Sequence, residues 1–162
     1  MPKVELKLKG VQALQQRLLA NVQAFEEQLE DELLMIAEDA CRHAKEHKGY
    51  KDRTANLKNS ISFVLYKDGQ VVSKHLGENK PKDNNARIVT ADYVQGRIDD
   101  YATKSGAASA KGYNLVIVAP MEYAAAVEHK GYNVLYLTNI YLQDRIKELM
   151  ANMMNELKQT NV

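Results

Sequence analysis

The sequence predicts an α+β domain in which an antiparallel sheet of about four strands packs against a long N-terminal helix and a C-terminal helix. Two long segments repeat apolar residues at helical spacing, and several short segments alternate apolar and polar residues. An Asp-Gly pair between two of the short segments marks a tight turn of a β-hairpin. Because 162 residues are about the length of one domain, we expect a single domain over residues 1–162.

The N-terminal part predicts a short strand followed by a long helix. Apolar and charged residues alternate over Val4–Leu8, which is the period of a strand with one solvated face. Apolar residues then recur every three or four positions over Val11–Ala44. At about 1.5 Å per residue this helix is roughly 50 Å long. A helix of that length in so short a chain either kinks, with Asn21 as the candidate position, or packs on a partner.

The middle of the chain predicts a capped helical turn and a hairpin. Thr54 is a candidate cap for a single turn over Ala55–Asn59. Ile61–Tyr66 alternates as a strand, Lys67–Gln70 contains the Asp-Gly turn signal, and Val71–Leu76 is the returning strand.

Residues 77–112 differ in composition and are predicted to be an insertion. Turn-forming residues make Gly77–Arg87 a flexible loop in this prediction, and Ser105–Ala110 is a tract of small residues. Between them, Thr90 is a candidate cap for a small helix over Ala91–Thr103. Because long loops commonly serve binding, we expect this insertion to contact a neighbouring subunit.

The C-terminal third predicts one strand and two helices. Tyr113–Ala119 is an apolar run bounded by glycine and proline, which is typical of a central strand buried on both faces. Met121–Tyr132 predicts a short helix that Gly131 ends, and a final helix follows over about Leu137–Lys158. Methionines widen the apolar stripe of that last helix into an adaptable surface.

Composition limits the class of protein. A net charge of +1 gives no global field that attracts nucleic acid or a membrane surface. No run of about 18 apolar residues predicts a membrane span, and the N-terminus lacks the apolar core of a signal peptide. The single cysteine, Cys41, excludes an internal disulfide and is expected to be a small buried apolar residue. We therefore expect synthesis in a cytoplasm and no membrane partner.

Few residues suggest catalysis. His43–His47 has the order His-x-x-Glu-His, which places two imidazoles one helical turn apart. A metal-dependent enzyme is therefore one hypothesis for function. A third metal ligand is not evident from the pattern. Asp99 and Asp100 are adjacent on a predicted helix and point about 100° apart, so they do not converge on a metal. The sequence contains neither a Gly-x-Ser-x-Gly elbow nor a phosphate-binding glycine loop. We predict no catalytic, cofactor-binding or metal-binding residues.

Positive charge is concentrated over residues 42–58, where only two carboxylates offset it. The cations are Arg42, Lys45, Lys48, Lys51, Arg53 and Lys58. Such a stretch usually forms a solvated helix end, but it also suits a phosphate backbone or an acidic partner subunit. A small DNA-binding or nuclease-like protein that uses residues 42–58 is therefore the alternative hypothesis for function.

Two segments, Arg53–Ile61 and Tyr123–Gly131, together with the order of the predicted elements, resemble a known family. The family consists of the tail-completion, or head–tail connector (neck), proteins of tailed bacteriophages and prophages, often described as minor tail components. Its patterns are Asp-Thr-Gly-x-Leu-x-x-Ser-Ile and Tyr-Ala-x-x-Val-Glu followed by Gly. The matching positions in this sequence are Thr54, Leu57, Ser60, Ile61, Tyr123, Ala124, Val127, Glu128 and Gly131.

The chain departs from the family patterns at a few positions. Ala55 stands where the pattern has glycine, and Arg53 stands where it has aspartate. His129 and Lys130 separate the glutamate from Gly131, and the stretch after the glycine contains no proline.

The resemblance implies a structural subunit without catalysis or a cofactor. It implies a homo-oligomeric ring, often sixfold, at the head–tail junction or the end of the tail tube. The implied location is the virion, assembled in the bacterial cytoplasm. The implied partners are other phage head or tail proteins, with non-specific contact with the DNA that passes through the lumen.

The patterns also give structural expectations. We expect Tyr123 and Val127 to pack the short helix on the sheet, and Glu128 to direct the chain into the last helix. We expect the long helix and the C-terminal helix to pack against the sheet. The hairpin tip at Lys67–Gln70 and the 77–112 insertion are expected to reach adjacent proteins.

Overall fold

The computed structural model describes residues 11–51, 53–81 and 87–160, and it confirms the α+β class with a long N-terminal helix, an antiparallel sheet and a C-terminal helix. The strand predicted at Val4–Leu8 lies outside the described residues. The elements are α1 Val11–Glu46, α2 Asn56–Asn59, β1 Ser62–Lys67, β2 Gln70–His75, α3 Ala91–Ser105, β3 Tyr113–Val118, α4 Ala124–His129 and α5 Tyr136–Thr160. Helix α1 continues through Asn21, where the sequence suggested a kink.

The described sheet has three antiparallel strands in the order β2-β1-β3. The first strand is therefore in the middle, with Phe63 opposite His75 on one side and Ile117 on the other. The prediction that Tyr113–Ala119 is a central strand buried on both faces is wrong, because β3 lies at the edge of the described sheet and is mostly half-buried. Strand β1 is buried over its first five residues, including Ser62, because helices cover both of its faces.

Two layers of side chains cover β1. On one face, Ile61 and Phe63 pack with Ala37, Cys41 and Ala44 of α1. On the other face, apolar residues of β1, α3 and β3 form a larger cluster that includes Val64, Tyr66, Val94, Ile98 and Val116. Helix α3, which the sequence placed within an insertion, thus supplies part of the main core.

The β1–β2 hairpin closes through a two-residue turn, as the Asp-Gly signal predicts. Asp68 and Gly69 have φ values of 50° and 80°, the positive values that such hairpin turns require. The turn is also tied to the residue before β3. The Asp68 carboxylate accepts from the Gly112 backbone N–H at 2.8 Å, and the Asp68 N–H donates to the Gly112 carbonyl at 3.0 Å.

The predicted helix caps are close to those observed. The Thr90 hydroxyl accepts from the Tyr93 N–H at 3.3 Å and caps α3, as predicted. At α2 the prediction is wrong by one residue, because Ala55 occupies the cap position with φ of 61°. The Thr54 hydroxyl instead accepts from the Asn56 N–H at 3.4 Å, so it still serves the first turn.

Candidate functional site

A cleft of about 500 Å³ lies where the residues around α2 meet the residues just before and within α4. It brings together four of the nine pattern positions, two from each of the segments that carry the family resemblance. These positions are Thr54, Leu57, Tyr123 and Val127. We call this space the motif cleft. The segments that meet in it are more than 60 residues apart in the chain, so only the fold joins them.

The motif cleft has an apolar floor and a charged rim. Leu57 and Met121, both buried, contribute the floor. Lys51, Arg53 and Arg87 line it as exposed cations, whereas Glu122 is the one carboxylate among its lining residues. Arg87 already has contacts: its guanidinium lies 4.2 Å from the centre of the Tyr93 ring, and its Nη1 lies 3.4 Å from the Glu122 carboxylate. The rim therefore carries an excess of positive charge.

A buried amide network fixes the loops behind this cleft. The side-chain amide of Asn79 donates to the Thr54 carbonyl at 2.7 Å and also to the side-chain oxygen of Asn56. Asn56 in turn donates to the Arg87 carbonyl at 2.8 Å, and Asn59 donates to the Asn79 side chain at 2.9 Å. This network was not predictable from the sequence, because a segment rich in asparagine and proline is typical of a loop.

The described part of the predicted flexible loop at Gly77–Arg87 is thus held in place. Asn79 and Val89 exchange two backbone hydrogen bonds at 2.9 and 3.0 Å. The Gly77 N–H donates to the Ser62 hydroxyl at 2.9 Å, and that hydroxyl donates to the Ser60 carbonyl at 2.7 Å. The chain approaches so closely that a Cβ at Gly77 would lie 2.1 Å from the Asn59 carbonyl oxygen.

Most remaining pattern positions have structural roles. Ser60 is fully buried, and its hydroxyl donates to the Leu57 carbonyl at 3.2 Å, which closes the α2 turn. Ile61 is fully buried beneath α1. Gly131, with φ of 80°, follows the end of α4 as predicted. The expectation that Tyr123 packs α4 on the sheet is wrong, because Tyr123 is 43% exposed and Ala124, 7% exposed, takes the buried position.

Glu128 holds the N-terminus of α5. One oxygen of its carboxylate accepts from the Val134 and Leu135 backbone N–H groups at 2.9 and 2.7 Å, and the other accepts from Tyr136 at 3.3 Å. The first N–H groups of a helix lack partners within the helix, and the helix dipole favours an anion there. The expected role of Glu128 in directing the chain into the last helix therefore has a physical basis in these three bonds.

Asn133 joins the end of α1 to the start of α5. Its side-chain oxygen accepts from the Leu137 N–H at 2.9 Å, and its side-chain amide donates to the His47 carbonyl at 2.6 Å. Its backbone carbonyl accepts from the Gly49 N–H at 3.0 Å. This side chain was not singled out in the sequence, although asparagine before a helix is a common cap signal.

The two histidines of the His-x-x-Glu-His segment stack on each other. The ring centres of His43 and His47 are 4.1 Å apart with a 17° angle between the planes, and His43 also stacks on Tyr141 at 4.6 Å. The Nδ1 atom of His43 lies 3.1 Å from the Thr138 hydroxyl. Metal binding uses lone pairs in the ring plane, so stacked parallel rings do not direct them at a shared ion. Within the described ranges, no three His, Cys, Asp or Glu side chains form a metal-binding group.

The remaining candidate catalytic groups are two aspartates that make hydrogen bonds within their own helix and one buried cysteine. The Asp99 carboxylate accepts from Gln95 at 2.6 Å and the Asp100 carboxylate from Lys104 at 2.8 Å, each one helical turn away. Burial raises the pKa of the Cys41 thiol to about 11, so the thiol stays neutral and weakly nucleophilic at pH 7.

Stability should fall in mild acid because of His43. Burial, followed by the neighbouring His47, lowers the pKa of His43 from its ordinary value of about 6.5, so the folded protein resists protonation there. The unfolded chain binds that proton first, and stability is therefore full above pH of about 6.5 and declines as the pH falls toward the folded-state pKa. We expect a lower urea midpoint in mild acid than above neutrality, and a smaller drop in His43→Gln. Burial also lowers the pKa of His75, so part of the drop should remain.

His129→Gln is the matched control for this pH prediction, because His129 is exposed. Its midpoint should follow that of the unmodified protein across the same pH range. If His43→Gln shows the full acid-induced drop, the stacked histidine is not its source.

The described helices include none that is long and apolar enough to cross a membrane. Comparison of the chain with protein-family models, with curated proteins and with solved structures gives no match in any of the three.

Proposed function

We propose that this chain is a structural protein of the phage or prophage head–tail junction or tail terminus, and that it assembles as a ring that joins or completes the tail. The observation that carries the proposal is the motif cleft. Two short segments that match the patterns of one family lie far apart in the sequence, yet they meet in one place in the fold. A shared structural role of the two segments would explain why they lie together in the fold.

The backbone at Ala55 supports the same reading. Its φ of 61° lies in the left-handed region, which glycine adopts readily and other residues adopt at a cost of roughly 1–2 kcal/mol. The family pattern has glycine at this position. The backbone conformation at this position is therefore the one that glycine favours, although this chain has alanine there.

The contacts of the pattern residues suit a scaffold better than an enzyme. Leu57, Ser60, Ile61 and Ala124 are buried in or beside the core. The Glu128 carboxylate accepts from backbone N–H groups just before and at the start of the next helix. The motif cleft has cations at its rim and an apolar floor, and this arrangement suits the binding of a partner surface.

The first part of α1 also suits an assembly. Val11, Leu14, Leu18 and Val22 recur at helical spacing, and each is 50–59% exposed. A continuous exposed apolar stripe commonly marks an interaction surface. In the proposed virion location the partners are further copies of this chain and other head or tail proteins, with non-specific contact with DNA in the lumen.

Light scattering coupled to size exclusion over a range of concentrations tests the proposal, followed by negative-stain electron microscopy. We expect a defined multiple of the subunit mass at high concentration and ring-shaped particles. Leu14→Glu with Leu18→Glu should shift the mass toward the monomer, whereas Gln12→Glu with Gln16→Glu, which adds the same charge without removing leucines, should shift it less. A monomer at every concentration would contradict the homo-oligomeric ring.

The alternative function is DNA binding through residues 42–58, and the position of Lys51 and Arg53 on the rim of the motif cleft favours it. Binding to phosphates should weaken steeply with salt and ignore sequence. Fluorescence anisotropy with two unrelated duplexes at several salt concentrations would measure both properties. Absence of binding at low salt would remove this alternative.

A further inference from the structure

Opposite charges lie on separate parts of this nearly neutral chain. Residues 26–32 of α1 contain five carboxylates and no cation; we call them the acidic segment, and its charged residues are Glu26, Glu27, Glu30, Asp31 and Glu32. The motif cleft is lined by three cations and one carboxylate. The two surfaces are complementary in charge, although the net charge of the whole chain is only +1.

The acidic segment presents its carboxylates in a fixed array. Glu27 and Asp31 are four residues apart, so their side chains lie on one face of the helix, and both residues are exposed. Phe25 and Leu29 are offset from this pair by two residues, so they lie on the other side of the helix. The Glu27–Asp31 face of α1 therefore offers negative charge without large apolar side chains beside it.

The motif cleft offers the matching surface. Its floor of Leu57 and Met121 is apolar, and about 500 Å³ is enough space for side chains of a partner. Lys51 and Arg53 stand exposed beside that floor. Guanidinium and ammonium groups suit a ligand that carries carboxylates. The apolar floor suits the methylene groups of those acidic side chains.

We infer that the motif cleft of one subunit binds the acidic segment of α1 from a second copy of this chain. The contact joins two different surfaces, so it is heterologous, and repetition of such a contact around an axis generates a ring. This inference rests on the proposed ring-forming function and names the contact within it. Carboxylate–cation pairs select the partner and its register, and the apolar floor adds contact area.

Exchange of charges between the two surfaces tests the inference. One variant reverses the cleft with Lys51→Glu and Arg53→Glu, and another reverses the helix with Glu27→Lys and Asp31→Lys. Alone, each variant places like charges opposite each other, and we expect its association to weaken at least about tenfold. When the two variants are mixed, each contact between a cleft-reversed and a helix-reversed subunit again joins opposite charges, so assembly with alternating subunits should return. A chain that carries all four substitutions should assemble alone.

Matched controls separate this contact from a general effect of charge. Lys111→Glu with Lys158→Glu makes the same change in net charge as the cleft reversal, at exposed positions that do not line the cleft, and it should assemble as the unmodified chain does. Circular dichroism should show equal helix content in all variants. Association of the unmodified chain should also weaken as salt rises.

Each outcome decides between the two proposals. If the unmodified chain forms rings and both reversals assemble equally well, the inference is overturned while the proposed function stands. If the unmodified chain stays monomeric at all concentrations, the proposed homo-oligomeric ring itself fails. If the monomer binds DNA and the cleft reversal abolishes that binding, the cleft serves nucleic acid and the inference is overturned.

Discussion

Gly77→Ala should lower the free energy of unfolding by about 3 kcal/mol or more, the upper range for overpacking a well-packed interior. The added Cβ would lie 2.1 Å from the Asn59 carbonyl oxygen and 3.0 Å from that of Ile61. Both obstacles are backbone, so no side-chain rotation relieves the clash. A shift of the chain would also strain the bond from the Gly77 N–H to the Ser62 hydroxyl. Urea unfolding followed by circular dichroism measures the change.

Gly96→Ala is the matched control for this substitution. Gly96 lies inside α3, and a Cβ there would meet nothing within 4 Å. Because alanine favours a helix and restricts the unfolded chain, this variant should gain about 0.5–1 kcal/mol. We expect the free energy of unfolding to fall in Gly77→Ala and to rise in Gly96→Ala. If Gly77→Ala were as stable as the unmodified protein, the close approach of the backbone at Gly77 would be contradicted.

Glu128→Ala should cost about 2 kcal/mol, because three backbone N–H groups at the start of α5 lose a charged acceptor. Helix content should fall as the first turn of α5 frays. Glu122→Ala removes a carboxylate that is 70% exposed and makes a surface ion pair with Arg87, so it should cost less than about 1 kcal/mol. If both glutamate variants were equally stable, Glu128 would not hold the helix as the structure indicates.

The helices and the hairpin were predictable because local patterns determine them. The apolar spacing of α1 and the Asp-Gly pair at Asp68 each act within a few residues. Thr90 gives a cap signal that lies immediately before its helix. Position within the sheet was not predictable, because strand order depends on pairing between residues about 50 positions apart, such as Phe63 and Ile117.

The candidate site was predictable only in part, for the same physical reason. The family patterns pointed to Leu57 and Glu128, but not to the cations that share the cleft with Leu57. Arg87 reaches the cleft from a segment whose composition is typical of a loop. Tertiary hydrogen bonds hold that segment, from Asn56 to the Arg87 carbonyl and from Asn79 to the Thr54 carbonyl. Tyr123 was assigned to the core because aromatic residues often pack there, whereas the turn before α4 turns it toward solvent.

The hydrogen bonds from Glu128 also bear on the order of events during synthesis. They join residues only six to eight positions apart, so α4 and the first turn of α5 can form as soon as both have left the ribosome. The sheet cannot be completed as early. Strand β1 can pair with β2 soon after synthesis, but its second edge stays unpaired until β3 is made about 50 residues later. During that interval the second edge of β1 stays unpaired in the nascent chain, and we expect this to be the stage at which the chain most needs protection from aggregation.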